Sequence, residues 1–472
     1  MRKVAVIGAG SIVFCKTLML DIMATEGLEE THFVLMAPST RNTSKVERFA
    51  KKVIERNALP SRVDITTERI EALRDADYVI STFQIGGVKA FELDYSIPMK
   101  YGVDQCIGDT LGPGGVFRAL RSIPVSVDLA EEMQELCPRA TLLNYVNPMA
   151  MVCWALGETG VNFVGLCHGV QTTLDLISGY VDVPKEDIEY LCAGINHMAW
   201  FLKIEKDGED LYPRLRERFE QPEYYVNEKV RGEVFRHFGF FMTESTGHLS
   251  EYVPWFRKNG KALDLYCDEP SFGGETGAYY KWCASVAKKY AERDVLSDEP
   301  LDLPSRSIEY GSYIIEAIEK GRLFSFNGNV RNNGMIANLP NDCCAEGPIY
   351  ADRNGLHPTI IGELPPQCAS LNLTNINVQR LAVLAAKEGD PELAVQACAV
   401  DPLTSAVLTL KETRDMVAEM LEAERQWLGR FDGRKPKPTP TISIPEDVKR
   451  ADVPIDPALA IFARFGELAE GT

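Results

Sequence analysis

Basic side chains are in short supply. The 472-residue chain carries 50 Lys and Arg against 68 Asp and Glu, a formal net charge of −18. A general nucleic-acid binder needs a basic footprint to displace counterions, and adhesion to anionic membranes needs one too, so neither class of partner is expected. No apolar run approaches the length of a membrane span. Internal repeats, a low-complexity core and a compact disulfide framework are also missing. The 12 cysteines are scattered, as expected of small buried hydrophobes in a reducing compartment. Met1-Arg2-Lys3 and the short run Val4 to Ile7 lead into glycines rather than a cleavage site, so a signal peptide is not read and the cytoplasm is the expected location. Histidine is the rarest of the ionisable residues, with 6 in the chain, which makes the setting of each one informative.

What is present is the composition of a folded enzyme, 45% hydrophobic and 25% charged, on a chain too long for one ordinary core. Strand-like runs at Val4–Ile7, His32–Met36, Val63–Thr66, Asp77–Phe83 and Thr141–Val146 alternate with helical spacing over Ser11–Ala24, Thr43–Arg56 and Pro124–Leu136. Such alternation predicts right-handed β-α-β units and an α/β fold with a doubly wound, Rossmann-like parallel sheet. Beyond about residue 195 the pattern loosens into polar helices (206–240 and 271–293), a Gly- and Asn-rich stretch (Asn327–Asn341) and helices over Asn377–Leu428. Three regions are therefore expected: a dinucleotide-binding domain over 1–195, a mixed α+β domain over 196–430, and a Pro-rich linker with a tail over 431–472. The last includes an amphipathic piece at Ala458–Leu468.

Gly8-Ala9-Gly10-Ser11 follows a strand and opens a helix, the setting of a pyrophosphate site. Gly8 permits the turn, Gly10 lets a phosphate approach the backbone, and the helix N-terminus offers free amides. Val13 stands where the usual third glycine would be, and a tight turn in another doubly wound domain is the alternative. After the second strand no carboxylate stands ready for an adenosine ribose. Ser39-Thr40-Arg41 could hold a 2′-phosphate and favour NADP, or the loop could bind NAD without that contact. Cys167-His168 and, some 30 residues on, Asn196-His197 lie in Gly-containing turns; thiolate and imidazole are good transition-metal ligands, or ordinary core residues. Asp109 beside a glycine-rich loop and Asn147 at a strand end complete the candidates, Asn147 as a binder of sugar hydroxyls or as a turn starter.

These blocks resemble glycoside hydrolase family 4, the NAD- and divalent-metal-dependent glycosidases, and within it the melibiase-type α-galactosidases. The resemblance runs from about Lys3 to Leu428 through Phe83-Gln84-Ile85-Gly86-Gly87, Asp109–Gly115, Leu143–Ala150, Gly165–His168, Cys192–Met198 and Thr374–Gln379. It implies a lactate/malate dehydrogenase-like fold and a homodimer or homotetramer. It also implies an exo-acting enzyme that oxidises carbon 3 of a sugar, eliminates the aglycone after loss of the carbon-2 proton, adds water and returns the hydride. Cys167 and His197 match the metal ligands, usually for manganese. Asn147 matches a substrate binder, Asp109 a carboxylate at the sugar, and His168 stands where some members place an acid. The base lies in Thr243–Tyr252, with Glu244, Glu251 and Tyr252 as candidates. Gln84 joins Gly8, Gly10, Ser11, Ser39 and Arg41 as expected cofactor contacts. Gly169 stands where the melibiase type carries serine, which opens space and admits an α-glucosidase, α-glucuronidase or galacturonidase as alternatives. Phosphorylated sugars are not expected. Outside the family, the alternatives are a lactate/malate-type dehydrogenase and a sensing protein without turnover.

Overall fold

A computed structural model describes residues 1–454 and 456–466. Thirteen strands among them join one sheet. The first six are β1 (Arg2–Ile7), β2 (Thr31–Met36), β3 (Arg62–Thr66), β4 (Tyr78–Ser81), β5 (Thr141–Asn144) and β6 (Phe163–Gly165). They are parallel and lie in the order β3-β2-β1-β4-β5-β6. This is the doubly wound order whose ligands sit beyond the carboxyl ends of the strands. Val4 to Ile7 are all buried, because helices cover both faces of such a sheet and select continuous apolar strands over alternating ones.

The sheet does not stop at residue 195. The later strands are β7 (Glu189–Ile195), β8 (Met198–Lys206), β9 (Glu209–Asp210), β10 (Phe241–Met242), β11 (Phe324–Arg331), β12 (Cys344–Asp352) and β13 (Gly355–Pro358). Asn329 of β11 pairs antiparallel with Gly165 of β6, and Glu346 of β12 with Gly194 of β7. The expected boundary falls in the β7–β8 hairpin, and Met1–Pro436 is one compact unit. Residues 437–472 form the second unit; its helix is Pro457–Phe465, and residues 467 and 468 of the expected amphipathic piece lie outside the described residues.

Two helix boundaries differ from expectation for one reason. The helix expected to start at Pro124 starts at Gly112 and runs to Leu136. Its glycines and prolines read as breakers, but Gly112 to Ile123 are all buried, and tertiary packing overrides the local preference. The C-terminal helices begin at Pro366, eleven residues early, because Pro is well placed in a first turn. The polar stretch 206–240 is broken into β9 and three short helices, Tyr212–Phe219, Pro222–Tyr225 and Lys229–Phe238. No helix among the described residues is long and apolar enough to cross a membrane.

Candidate active site

The β7–β8 hairpin pairs Ile195 with Met198, so Asn196 and His197 form its two-residue turn. His197 has a left-handed backbone, φ 63°. Cys167 follows β6 by two residues, and His168 caps the helix Gly169–Val181. Strands β11 and β12 lie between β6 and β7 in the sheet, and across them Cys167 Sγ comes within 3.5 Å of His197 Nε2. The two residues singled out as metal ligands are thus brought together by the antiparallel half of the sheet.

The other face of the His197 ring is fixed as well. Its Nδ1 lies 3.1 Å from Thr110 Oγ1 and 3.2 Å from the Tyr252 hydroxyl. Thr110 Oγ1 donates its own proton to Asp109 Oδ1 at 2.9 Å, so it accepts from Nδ1–H. That leaves the lone pair on Nε2, beside the thiol, as a metal ligand requires. Burial, helped by His248, pushes His197 down to about 3, so the ring is neutral across the physiological range.

Asp109 accepts from Asn147 Nδ2 at 3.2 Å and faces Arg118 Nη1 at 3.7 Å. Burial alone would raise its pKa, but Arg118, with help from His248 and His197, outweighs it and holds the carboxyl below its usual range. Glu244 Oε1 lies 3.7 Å from His197 Nε2, and Oε2 lies 3.5 Å from His248 Nδ1. Burial raises the Glu244 pKa, against the more distant Arg231. Burial likewise raises the Cys167 thiol and the Tyr252 hydroxyl. His168 is about half exposed, 3.4 Å from Glu309, and that contact raises its pKa. Glu251 is committed elsewhere: it accepts from the backbone N–H of Cys106, Ile107 and Gly108 at 2.8–3.0 Å.

Donor spacing tests the fit to a cation. Bonds of about 2.3 Å to sulfur and about 2.1 Å to nitrogen place the donors about 3.1 Å apart at a right angle and about 3.6 Å apart in a tetrahedron. The observed 3.5 Å lies inside that interval. Neutral imidazole and a half-buried thiol are the right chemistry, so the residues fit.

The nucleotide end fits in part. Gly8 (φ +92°) has the Phe83 backbone nitrogen 2.6 Å from where a Cβ would stand, while a Cβ on Gly10 would meet only Ala37 at 3.9 Å. The backbone is therefore bare where a pyrophosphate would approach, and the helix Ile12–Met23 that Ser11 precedes has no side-chain cap on its first amides. At the ribose end the expected donors are engaged. Ser39 Oγ caps the helix Thr40–Arg56 by accepting from Arg41 N, and Arg41 Nη2 donates to the Ala291 carbonyl at 3.5 Å. Gln84 Nε2 donates to the Gly87 carbonyl at 3.4 Å.

Sequence reasoning missed four residues of the site. Thr110 and His248 had a signal: one is adjacent to Asp109, and the other is a rare histidine four residues after Glu244. Glu346, raised to about 7 by burial and joined to Asn196 at 3.4 Å, had none, and neither did Arg231, since each comes from a segment with no local motif.

Residues 3–183 match the family described as Family 4 glycosyl hydrolase, and residues 192–404 match the Family 4 glycosyl hydrolase C-terminal domain. An alpha-galactosidase of Rhizobium meliloti is 40% identical over 441 residues, 91% of this chain and 89% of that protein. An alpha-galactosidase of Bacillus subtilis is 38% identical over 91% of this chain and all of that protein. Among solved structures, a 6-phospho-beta glucosidase from Thermotoga maritima, in complex with manganese, NAD+ and glucose-6-phosphate, shares the fold. Its TM-score is 0.74 at 23% identity, over 90% of this chain and 99% of that one.

Proposed function

The chain belongs to family 4 of the glycosyl hydrolases, and from that premise we propose that its site removes terminal α-galactosyl groups with the aid of an oxidised nicotinamide and a divalent cation. The observation that carries this is the Cys167–His197 pair, 3.5 Å apart, linked through Thr110 to the Asp109–Asn147 pair at the carboxyl edge of a dinucleotide-type sheet. When bound, the nicotinamide supplies reversible hydride uptake at carbon 3 of the sugar, and the cation, manganese by preference, supplies Lewis acidity.

The chain's own residues do the rest. Cys167 and His197 hold the cation, and the Nδ1–H bond to Thr110 keeps the His197 ring oriented. Asn147 and the ionised Asp109 orient sugar hydroxyls. Of the candidates for the carbon-2 proton, Glu251 is tied to three backbone amides and Glu244 faces His197, which leaves the Tyr252 hydroxyl; burial raises its pKa, so a cation bound nearby would have to lower it before it could act as the base. His168, its pKa raised by Glu309 at the rim, donates to the departing oxygen.

The test uses chelator-dialysed, cofactor-stripped protein with 4-nitrophenyl α-galactoside under reductant. Nitrophenol release is expected only when manganese and NAD or NADP are both present, and the active nucleotide identifies what the Ala37–Arg41 loop accepts. Release without nucleotide would sink the redox route. One observation favours a second sugar class. Arg118 is buried, and its Nε and Nη1 have no hydrogen-bond acceptor among the described residues, a setting suited to a uronide carboxylate. Faster turnover of an aryl α-galacturonide would move the assignment there. The enzyme acts in the cytoplasm, in keeping with twelve free cysteines, and as a homodimer or homotetramer, which light scattering measures.

A further inference from the structure

We propose that Glu244 is a third protein ligand of the cation held by Cys167 and His197, with His248 steadying its second oxygen. This rests on the reading above that the site takes a divalent cation, and adds a ligand to it.

Two donors lie against the His197 ring nitrogen. Glu244 Oε1 lies 3.7 Å from His197 Nε2, which in turn lies 3.5 Å from Cys167 Sγ. Gly169 borders the Glu244 and Cys167 side chains alike. A Cβ built there would stand 3.2 Å from Glu244 Oε1 and 3.6 Å from Cys167 Sγ, so sulfur and oxygen flank the same point. Bonds of about 2.1 Å to both nitrogen and oxygen put such donors about 3.0–3.4 Å apart. A movement of a few tenths of an ångström by a Glu side chain closes the difference. Ligand atoms of His197, Glu244 and His248 all lie within 4.8 Å of one another.

Charge makes the same demand. Glu244 is buried, and a buried carboxylate needs a counter-charge. Its nearest titratable neighbours are His197 at 3.7 Å and His248 at 3.5 Å. Arg231 acts on it only from farther away. His248 Nδ1 is shared between Glu244 Oε2 at 3.5 Å and Ser245 Oγ at 3.2 Å, which fixes the orientation of the carboxylate rather than neutralising it. A cation beside Oε1 would add a closer counter-charge than Arg231. Three protein ligands of thiolate, imidazole and carboxylate type still leave a six-coordinate ion such as manganese with positions for sugar oxygens. Gly169 is then the residue that leaves room for the carboxylate, since a Cβ there would stand a tight 3.2 Å from Oε1.

The experiment measures binding rather than turnover. Full-length protein, its Glu244→Gln variant and its Glu244→Ala variant are titrated with Mn2+ by calorimetry. They are also titrated with Co2+ by the thiolate-to-cobalt absorption that reports Cys167. The expected result is Mn2+ affinity at least tenfold weaker in both variants, with the Cys167 absorption retained at saturating Co2+. A retained absorption also shows that the site is folded. Affinity within twofold of the parent in either variant overturns the proposal, whatever happens to hydrolysis. A parent protein that binds neither ion overturns this proposal together with the cation reading beneath it. A parent that binds while the variants are unaffected overturns this proposal alone.

Discussion

His168 is the ionisable side chain of the site most open to solvent, and its behaviour with pH is set by one neighbour. Glu309, 3.4 Å away, raises its pKa above the ordinary imidazole value. A raised histidine keeps its proton, and the contact its full strength, at low pH, and loses both as pH rises through the raised value. Activity that needs the proton therefore falls on the alkaline side. Glu309→Gln is expected to move the alkaline limb of kcat/KM to lower pH while leaving Mn2+ affinity unchanged; an unmoved limb would remove His168 from the acid role. At this scale the sequence was informative wherever chemistry is carried by a rare residue in a short motif. Cys167, His197, Asp109 and Asn147 were all named from it, and the structure brings them together. Glu346 and Arg231 stayed hidden because nothing in their local sequence distinguishes them from surface charges.

Elements position these residues, and the loop before Asp109 shows how. Cys106, Ile107 and Gly108 direct three backbone N–H groups onto the Glu251 carboxylate of the helix Thr246–Tyr252. Burial raises Glu251 to about 7 against these bonds, and with both oxygens engaged by backbone amides its worth lies in accepting them. Glu251→Ala strands three buried donors, at about 1–3 kcal/mol each. A loss of about 3 kcal/mol or more is expected in denaturant unfolding, together with a fall in kcat as Asp109 and Thr110 shift. Unfolding within about 1 kcal/mol of the parent would show that water replaces the carboxylate. Strand positions were legible from β-branched runs. The start of the helix Gly112–Leu136 was not, because Gly-Pro-Gly-Gly is a poor helix former that is held only by burial on all sides.

Across the whole of Met1–Pro436, a buried ionic triad joins distant segments. Arg121 donates to both oxygens of Asp94, at 2.6 and 2.8 Å, and to Glu424, with all three side chains fully buried. Burial, reinforced by Asp94, raises the Glu424 pKa well above its ordinary value. Arg121→Met should therefore cost about 3–5 kcal/mol by leaving Asp94 unpaired. Glu424→Gln, which mimics the protonated acid, should cost about 1 kcal/mol or less. Equal losses in the two variants would mean that Glu424 is ionised. Every named site residue lies in this compact unit. A chain ended at Pro436 is therefore expected to keep its melting temperature and its hydrolysis of aryl galactoside; loss of either would give residues 437–472 a structural role.

By itself the sequence determined the parallel half of the fold and the glycine turn at Gly8–Gly10, and it singled out the Cys167–His197 pair. These are local signals: apolar periodicity, backbone permissiveness and ligand chemistry are each written within a few neighbouring residues. Tertiary structure alone decided that the two expected domains share one sheet. It also decided that Thr110 fixes the His197 tautomer and that Glu244 faces His197. Each of these depends on pairings between distant strands, such as Asn329 with Gly165 and Glu346 with Gly194. Such pairings are set by how the whole core packs, and no local stretch of the chain encodes them.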